Sequence, residues 1–165
     1  VAKKSHLLLA LIALVSLSFT VFLGKANDNL LRGVDSNIHA KASLSVTRDG
    51  FSPKLPILGI NSKDPKENFV FNDHPFFLFW ANGHLMRALG PSAWSARILT
   101  AGFSVGCVIL VFALGSLLAS SLHGFLAAVM FLFTRDIILT GATVSLDPAM
   151  MFFILLSFFF WIKKQ

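Results

Sequence analysis

Apolar residues in this chain collect into long runs, broken by one extended polar stretch and a few short interruptions. The first run covers about 7–24 and follows Lys3-Lys4. It exceeds the roughly 7–15 residues of a signal-peptide core, and no small-x-small cleavage site follows, so it reads as an uncleaved helix. The second covers 96–119 and is free of charge from Ile98 onward. Its Gly102 and Gly106 stand four apart, either a small-residue face for close helix packing or two incidental glycines. The third covers 124–144 and is interrupted by Arg135-Asp136, a pair that reads as a local ion pair facing a cavity. The fourth, 147–162, is short for a hydrocarbon core of about 30 Å at about 1.5 Å per residue, and it closes on Lys163-Lys164.

Between the first and second runs lies a polar stretch, about 25–94, with two segments of helical character. Phe76 to Leu89 begins aromatic and then admits Asn82, His84 and Arg87. It reaches only about 20 Å as a helix, which suits an amphipathic helix at a membrane surface, with Asn82 and Arg87 facing water, or a partial insertion. Ser36 to Thr47 is a second candidate with weak apolar periodicity. The expected fold class is therefore all-α integral membrane: about four transmembrane helices and a long external first loop carrying interfacial helices. Lys3-Lys4 and Lys163-Lys164 both belong in the cytoplasm by the positive-inside rule, which demands an even number of crossings. The polar loop then lies outside despite its Lys and Arg, because loops longer than about 60 residues escape that rule.

Composition agrees. Apolar residues make up 55% of the chain and charged residues 13%, against about 25% charge in soluble domains. The single cysteine, Cys107, excludes an intrachain disulfide. The net charge of +6 comes without a basic helix or aromatic-basic interleave, which argues for anionic lipid headgroups or a phosphate-bearing lipid and against nucleic acid. No Gly-rich phosphate loop or sizeable soluble domain is present, which excludes a soluble nucleotide-sugar enzyme.

Two aspartates stand where polar chain meets apolar run: Asp35, in Gly33-Val34-Asp35-Ser36, and Asp147, in Leu146-Asp147-Pro148. Carboxylates beside hydrocarbon are costly, and the default reading is functional. Asp147 before Pro148 also reads as a helix N-cap. Asp73, His74 and His39 have no spacing typical of zinc or calcium sites, so no metal site is assigned.

The order of these pieces resembles the N-terminal portion of a GT-C membrane glycosyltransferase, in the group of protein O-mannosyltransferases and lipid A aminoarabinose transferases. Asp35 stands at the family's first acidic motif, with Ala40 and Ala42 after it. Ser36 occupies the position where many members carry Glu. Arg48-Asp49-Gly50-Phe51 is similar to a Gly-Asp-Trp turn with Gly and Asp transposed. His74-Pro75-Phe76 resembles a basic-Pro-Pro-Leu motif without its second proline. Ser95-Ala96-Arg97-Ile98 resembles the Ala-Ala-Arg-Leu motif that opens the next span, and Leu146-Asp147-Pro148 resembles a second external acid.

The resemblance implies transfer of a sugar from a polyprenyl-phosphate donor to a lipid, glycan or protein acceptor. The setting it implies is the cell envelope, on the outer face of a bacterial plasma membrane. Asp35 would be the base that takes the acceptor's proton. His74, Arg97 and Lys54 would meet the charge developing on the leaving phosphate, and Asp147 would position the acceptor. Arg97 at a span end also reads as a residue snorkelling to headgroups, and His74 as a solvated loop residue. No cofactor is required, although the resemblance leaves room for a divalent metal at Asp147. The alternative is a non-enzymatic polytopic protein, a transporter piece or an assembly subunit, for which the charged interruption at Arg135-Asp136 is the hint.

Overall fold

A computed structural model describes the backbone of residues 2–24, 34–48, 54–55, 69–70 and 76–165, and the side chains of 10–23, 36–45 and 77–165. Seven helices are formed among these residues: α1 (Ala2–Gly24), α2 (Val34–Arg48), α3 (Phe76–Leu89), α4 (Ala93–Leu118), α5 (Ser121–Leu132), α6 (Arg135–Gly141) and α7 (Asp147–Lys164). Two short strands, β1 (Lys54–Leu55) and β2 (Phe69–Val70), pair antiparallel, and β1 packs against α2.

The helices form two tiers that share α4. In the first tier, α1, α4 and α5 bury Leu14, Phe22, Ala101, Val105, Val108, Ala128 and Leu132 as one cluster, with Ile137 of α6 against it. Small residues set the spacing. A Cβ on Gly124 would strike the Phe112 carbonyl and the Ser116 hydroxyl, so α4 and α5 meet with bare backbone between them. Gly106 receives the ring of Phe152 on α7, at 2.7 Å from where its Cβ would stand, whereas nothing approaches Gly102. One of the two glycines marked by the sequence is thus a packing site. In the second tier, α3 lies against the first turns of α4, and α2 packs on α3. Ala40, Met86, Ala96 and Val144 form one cluster, and Ala42, Phe79, Trp80 and Leu146 another.

α4 has 26 residues and is long and apolar enough to cross a bilayer by itself, and it is 44% buried, where a soluble protein's core helix would be mostly buried. The third run is not one straight span. It breaks after Leu132 into α5 and α6, bent by 67°, with Thr134 at the N-cap of α6. Arg135 and Asp136 lie exposed in the first turn beyond the bend rather than facing a cavity. The bend accounts for a charged pair inside an apolar run: it falls where the helix stops. Large apolar side chains remain on the surface, among them Met130 at 75% and Phe160 and Trp161 at 60% exposure. Such a surface fits lipid contact better than water.

Both segments expected as interfacial helices are helical. α3 matches the expected Phe76–Leu89, but Asn82 is 4% exposed and faces the protein, while Arg87 is exposed as expected. α2 buries Ser36, His39, Ala40 and Ser43, a stripe at helical spacing made of small and polar residues. A search for apolar periodicity registers such a stripe only weakly.

Candidate functional site

The site is built where the second tier meets the turn between α6 and α7. The corner that starts α4 comes first. Gly90 ends α3 at φ 84, a left-handed conformation that favours glycine, and Pro91 blocks further helix. Ser92 then caps α4: its side chain accepts from the Ser95 amide at 3.0 Å, and Ser95 Oγ accepts from the Ser92 amide at 2.9 Å. Ser95 Oγ also donates to the Gly90 carbonyl at 2.6 Å. This corner holds Arg97 on the first turns of α4.

Arg97 is 2% exposed. A guanidinium at that depth is held by interactions and does not extend to headgroups, so the snorkelling reading gives way to a buried cation within the protein. Three residues further on, Thr100 donates to the Ser145 carbonyl at 3.3 Å.

The turn and the start of α7 are held by three bonds from two helices, α2 and α4. His39 Nδ1 on α2 lies 3.1 Å from the Val144 carbonyl, Thr100 on α4 takes Ser145, and Cys107 Sγ donates to the Pro148 carbonyl at 3.5 Å. Asp147 follows directly. It is exposed, and its carboxylate accepts from Ser145 Oγ at 2.9 Å while its amide donates to the same oxygen at 3.2 Å. Asp147 is not the N-cap of α7. Leu146 takes that place without a side-chain cap bond, and Asp147 stands in the first turn, where its charge favours the helix dipole.

A cavity of about 20 Å³, room for about one water, opens at this junction. Its polar lining comes from His39, Ser43, Asn82, Thr100 and Ser145, residues of α2, α3, α4 and the turn. Asn82 Nδ2 donates to Ser43 Oγ at 3.2 Å, and Ser43 Oγ donates to the His39 carbonyl at 2.8 Å. The Asn82 Oδ1 is buried without a protein partner.

Asp35 falls in the first turn of α2, one turn before His39. The backbone therefore brings the Asp35 helix, the Arg97 helix and the Asp147 turn to one junction. Lys54 sits on β1, beside α2 by its strand's packing. His74 lies outside the described residues. Sequence reasoning did not assign His39, Ser43, Asn82 or Thr100 to the site. The signal available was the buried Ser-His-Ala-Ser stripe following Asp35. Among the described residues no group of three His, Cys, Asp or Glu side chains could hold a metal ion.

Residues 71–165, more than half of the chain, match the family model described as dolichyl-phosphate-mannose-protein mannosyltransferase. The chain belongs to this family. The mannosyltransferase match makes it a GT-C glycosyltransferase, a membrane-embedded class that uses polyprenyl-phosphate sugars as donors. His74, Arg97 and Asp147 lie inside the matched segment, and Asp35 and Lys54 lie before it. No curated protein and no solved structure matches the chain.

Proposed function

We propose that this chain forms the N-terminal part, residues 1–165, of an enzyme that transfers a hexose, mannose being the first to test, from a polyprenyl-phosphate donor to a hydroxyl of a lipid, glycan or protein acceptor. The observation that carries this reading is the family match over residues 71–165, a segment that holds the buried Arg97 and the exposed Asp147. Asp35 takes the acceptor's proton as the acceptor oxygen attacks the anomeric carbon. The bond from that carbon to the phosphate oxygen breaks, and the electron pair leaves on the phosphate. Arg97, with His74 and Lys54, meets that charge. Asp147, held by Ser145, orients the acceptor.

The site faces outward from a bacterial plasma membrane in this reading, with α1, α4, the bent α5–α6 pair and α7 as four crossings and α2 and α3 along the outer surface. Lys3-Lys4 before the first apolar run and Lys163-Lys164 after the fourth support it, since the positive-inside rule puts both flanks in the cytoplasm. The competing reading, a transporter piece or assembly subunit, draws on the break between α5 and α6. The family match favours the enzyme.

Asp35→Asn in the full-length protein decides the chemistry. The amide keeps the shape but accepts no proton, and transfer from polyprenyl-phosphate mannose should fall roughly 10²–10⁴-fold with insertion intact. Near-normal turnover would remove Asp35 as the base and leave Asp147 as the next acid to test. Topology reporters at Asn61 and Gln165 should lie on opposite sides, and the same side for both would exclude four crossings.

A further inference from the structure

We propose that His39 is a positioning residue that sets the separation of the two acid-bearing segments, a role that rests on the glycosyltransferase reading above. His39 is 8% exposed on the inner face of α2. Its Nδ1 lies 3.1 Å from the Val144 carbonyl, across 105 residues of sequence. A carbonyl only accepts, so the proton of this bond sits on Nδ1. The Phe79 ring packs against the imidazole with centroids 5.6 Å apart and planes 53° apart, which fixes the ring's orientation.

The two ends of this bond stand close to the two acids along the chain. Asp35 lies four residues before His39 on the same helix, one turn away. Asp147 lies three residues after Val144, and the intervening Ser145 holds its carboxylate. A shift of α2 relative to the turn therefore moves one acid relative to the other. One turn further along the same face, α2 is tied down by the Asn82–Ser43 bond, and Ser43 Oγ returns to the His39 carbonyl. One polar line thus runs from α3 through α2 to the turn before α7, at the lip of the cavity. His39 fixes the frame in which a base on one element and an acceptor-binding acid on another meet one substrate.

The geometry makes a specific demand on the side chain: a donor at the place of Nδ1. Asparagine carries its amide nitrogen near that place, whereas glutamine carries it near Nε2. In the full-length protein, His39→Leu should lower the single-turnover rate with saturating polyprenyl-phosphate mannose by roughly 10²-fold, the scale of an ångström-level misplacement. The apparent donor affinity should hardly change. His39→Asn should recover most of the rate, and His39→Gln should not.

A second readout needs no turnover. Leu146 is half-buried against Ala42 and Phe79. Leu146→Cys should react with a water-soluble maleimide several-fold faster when combined with His39→Leu, and at the original rate when combined with His39→Asn. Labelling unchanged by His39→Leu, or Asn and Gln variants that rescue equally, would overturn the proposal. If the unmodified protein transfers nothing while labelling follows this pattern, the glycosyltransferase reading fails and the positioning bond stands.

Discussion

In the first tier, α1, α4 and α5 bury a hydrocarbon cluster, and two of the hydroxyls that come with it bond inside their own helices: Ser18 donates to Leu14 at 2.7 Å and Ser104 to Thr100 at 3.0 Å. In the second tier, three buried polar groups bond between elements, His39 to Val144, Asn82 to Ser43 and Thr100 to Ser145, and Ser43 alone of these also donates four residues back in its own helix. Both tiers exclude water, but the polar groups have different partners. A hydroxyl satisfied four residues back asks nothing of its neighbours, so the first tier is held by shape alone. A group satisfied across 105 residues fixes one element against another, so the second tier is held by direction. Membrane helices packed through small residues illustrate the former, and substrate sites need the latter.

The sharpest test of this contrast is Arg97→Leu in the second tier. Removing the buried cation should cost transfer roughly 10²–10³-fold, the scale for a lost donor to developing charge, while the protein still inserts. Arg97→Lys should recover little, because an ammonium does not reproduce the guanidinium's fork. Full activity in either variant would put Arg97 outside the chemistry.

Gly124→Ala probes the first tier. Its methyl would enter the Phe112 carbonyl and the Ser116 hydroxyl, and backbone cannot give way as a flexible side chain can. Thermal unfolding in detergent should show a loss of about 1–3 kcal/mol, with turnover of the protein that remains folded largely preserved. A larger change in turnover than in stability would mean that the tiers are coupled.

The smallest effect belongs to Ser18→Ala. The residue is fully buried, yet its hydroxyl serves its own helix, so stability should move by less than about 0.5 kcal/mol. A loss beyond about 1 kcal/mol in the same unfolding measurement would show that Ser18 also binds across helices.

Much of this was legible in the sequence. The runs of apolar residues located α1, α4 and α7, and the mixed aromatic-polar pattern located α3 to the residue. Asp147 could be singled out because charge beside hydrocarbon is expensive, and Arg97 because Ser95-Ala96-Arg97-Ile98 resembles a family motif. The bend between α5 and α6 was not legible. Phe131-Leu132-Phe133 continues the apolar pattern, and only the following Thr134-Arg135-Asp136 hints at a new helix start. Nor was the inward face of Asn82, since an amide in an amphipathic helix reads as surface until a partner such as Ser43 is found.

The sequence by itself determined that this is a helical chain with hydrocarbon-seeking segments, and that its acids and cations fall between or at the ends of those segments, apart from Arg135-Asp136. Those facts follow from local periodicity and from the cost of charge in an apolar setting, neither of which depends on distant neighbours. Tertiary structure alone decided which polar groups share a site. His39 has meaning only beside Val144, and Thr100 only beside Ser145. A directional bond between residues 105 apart leaves no pattern along the chain, because its geometry exists only after the helices have packed.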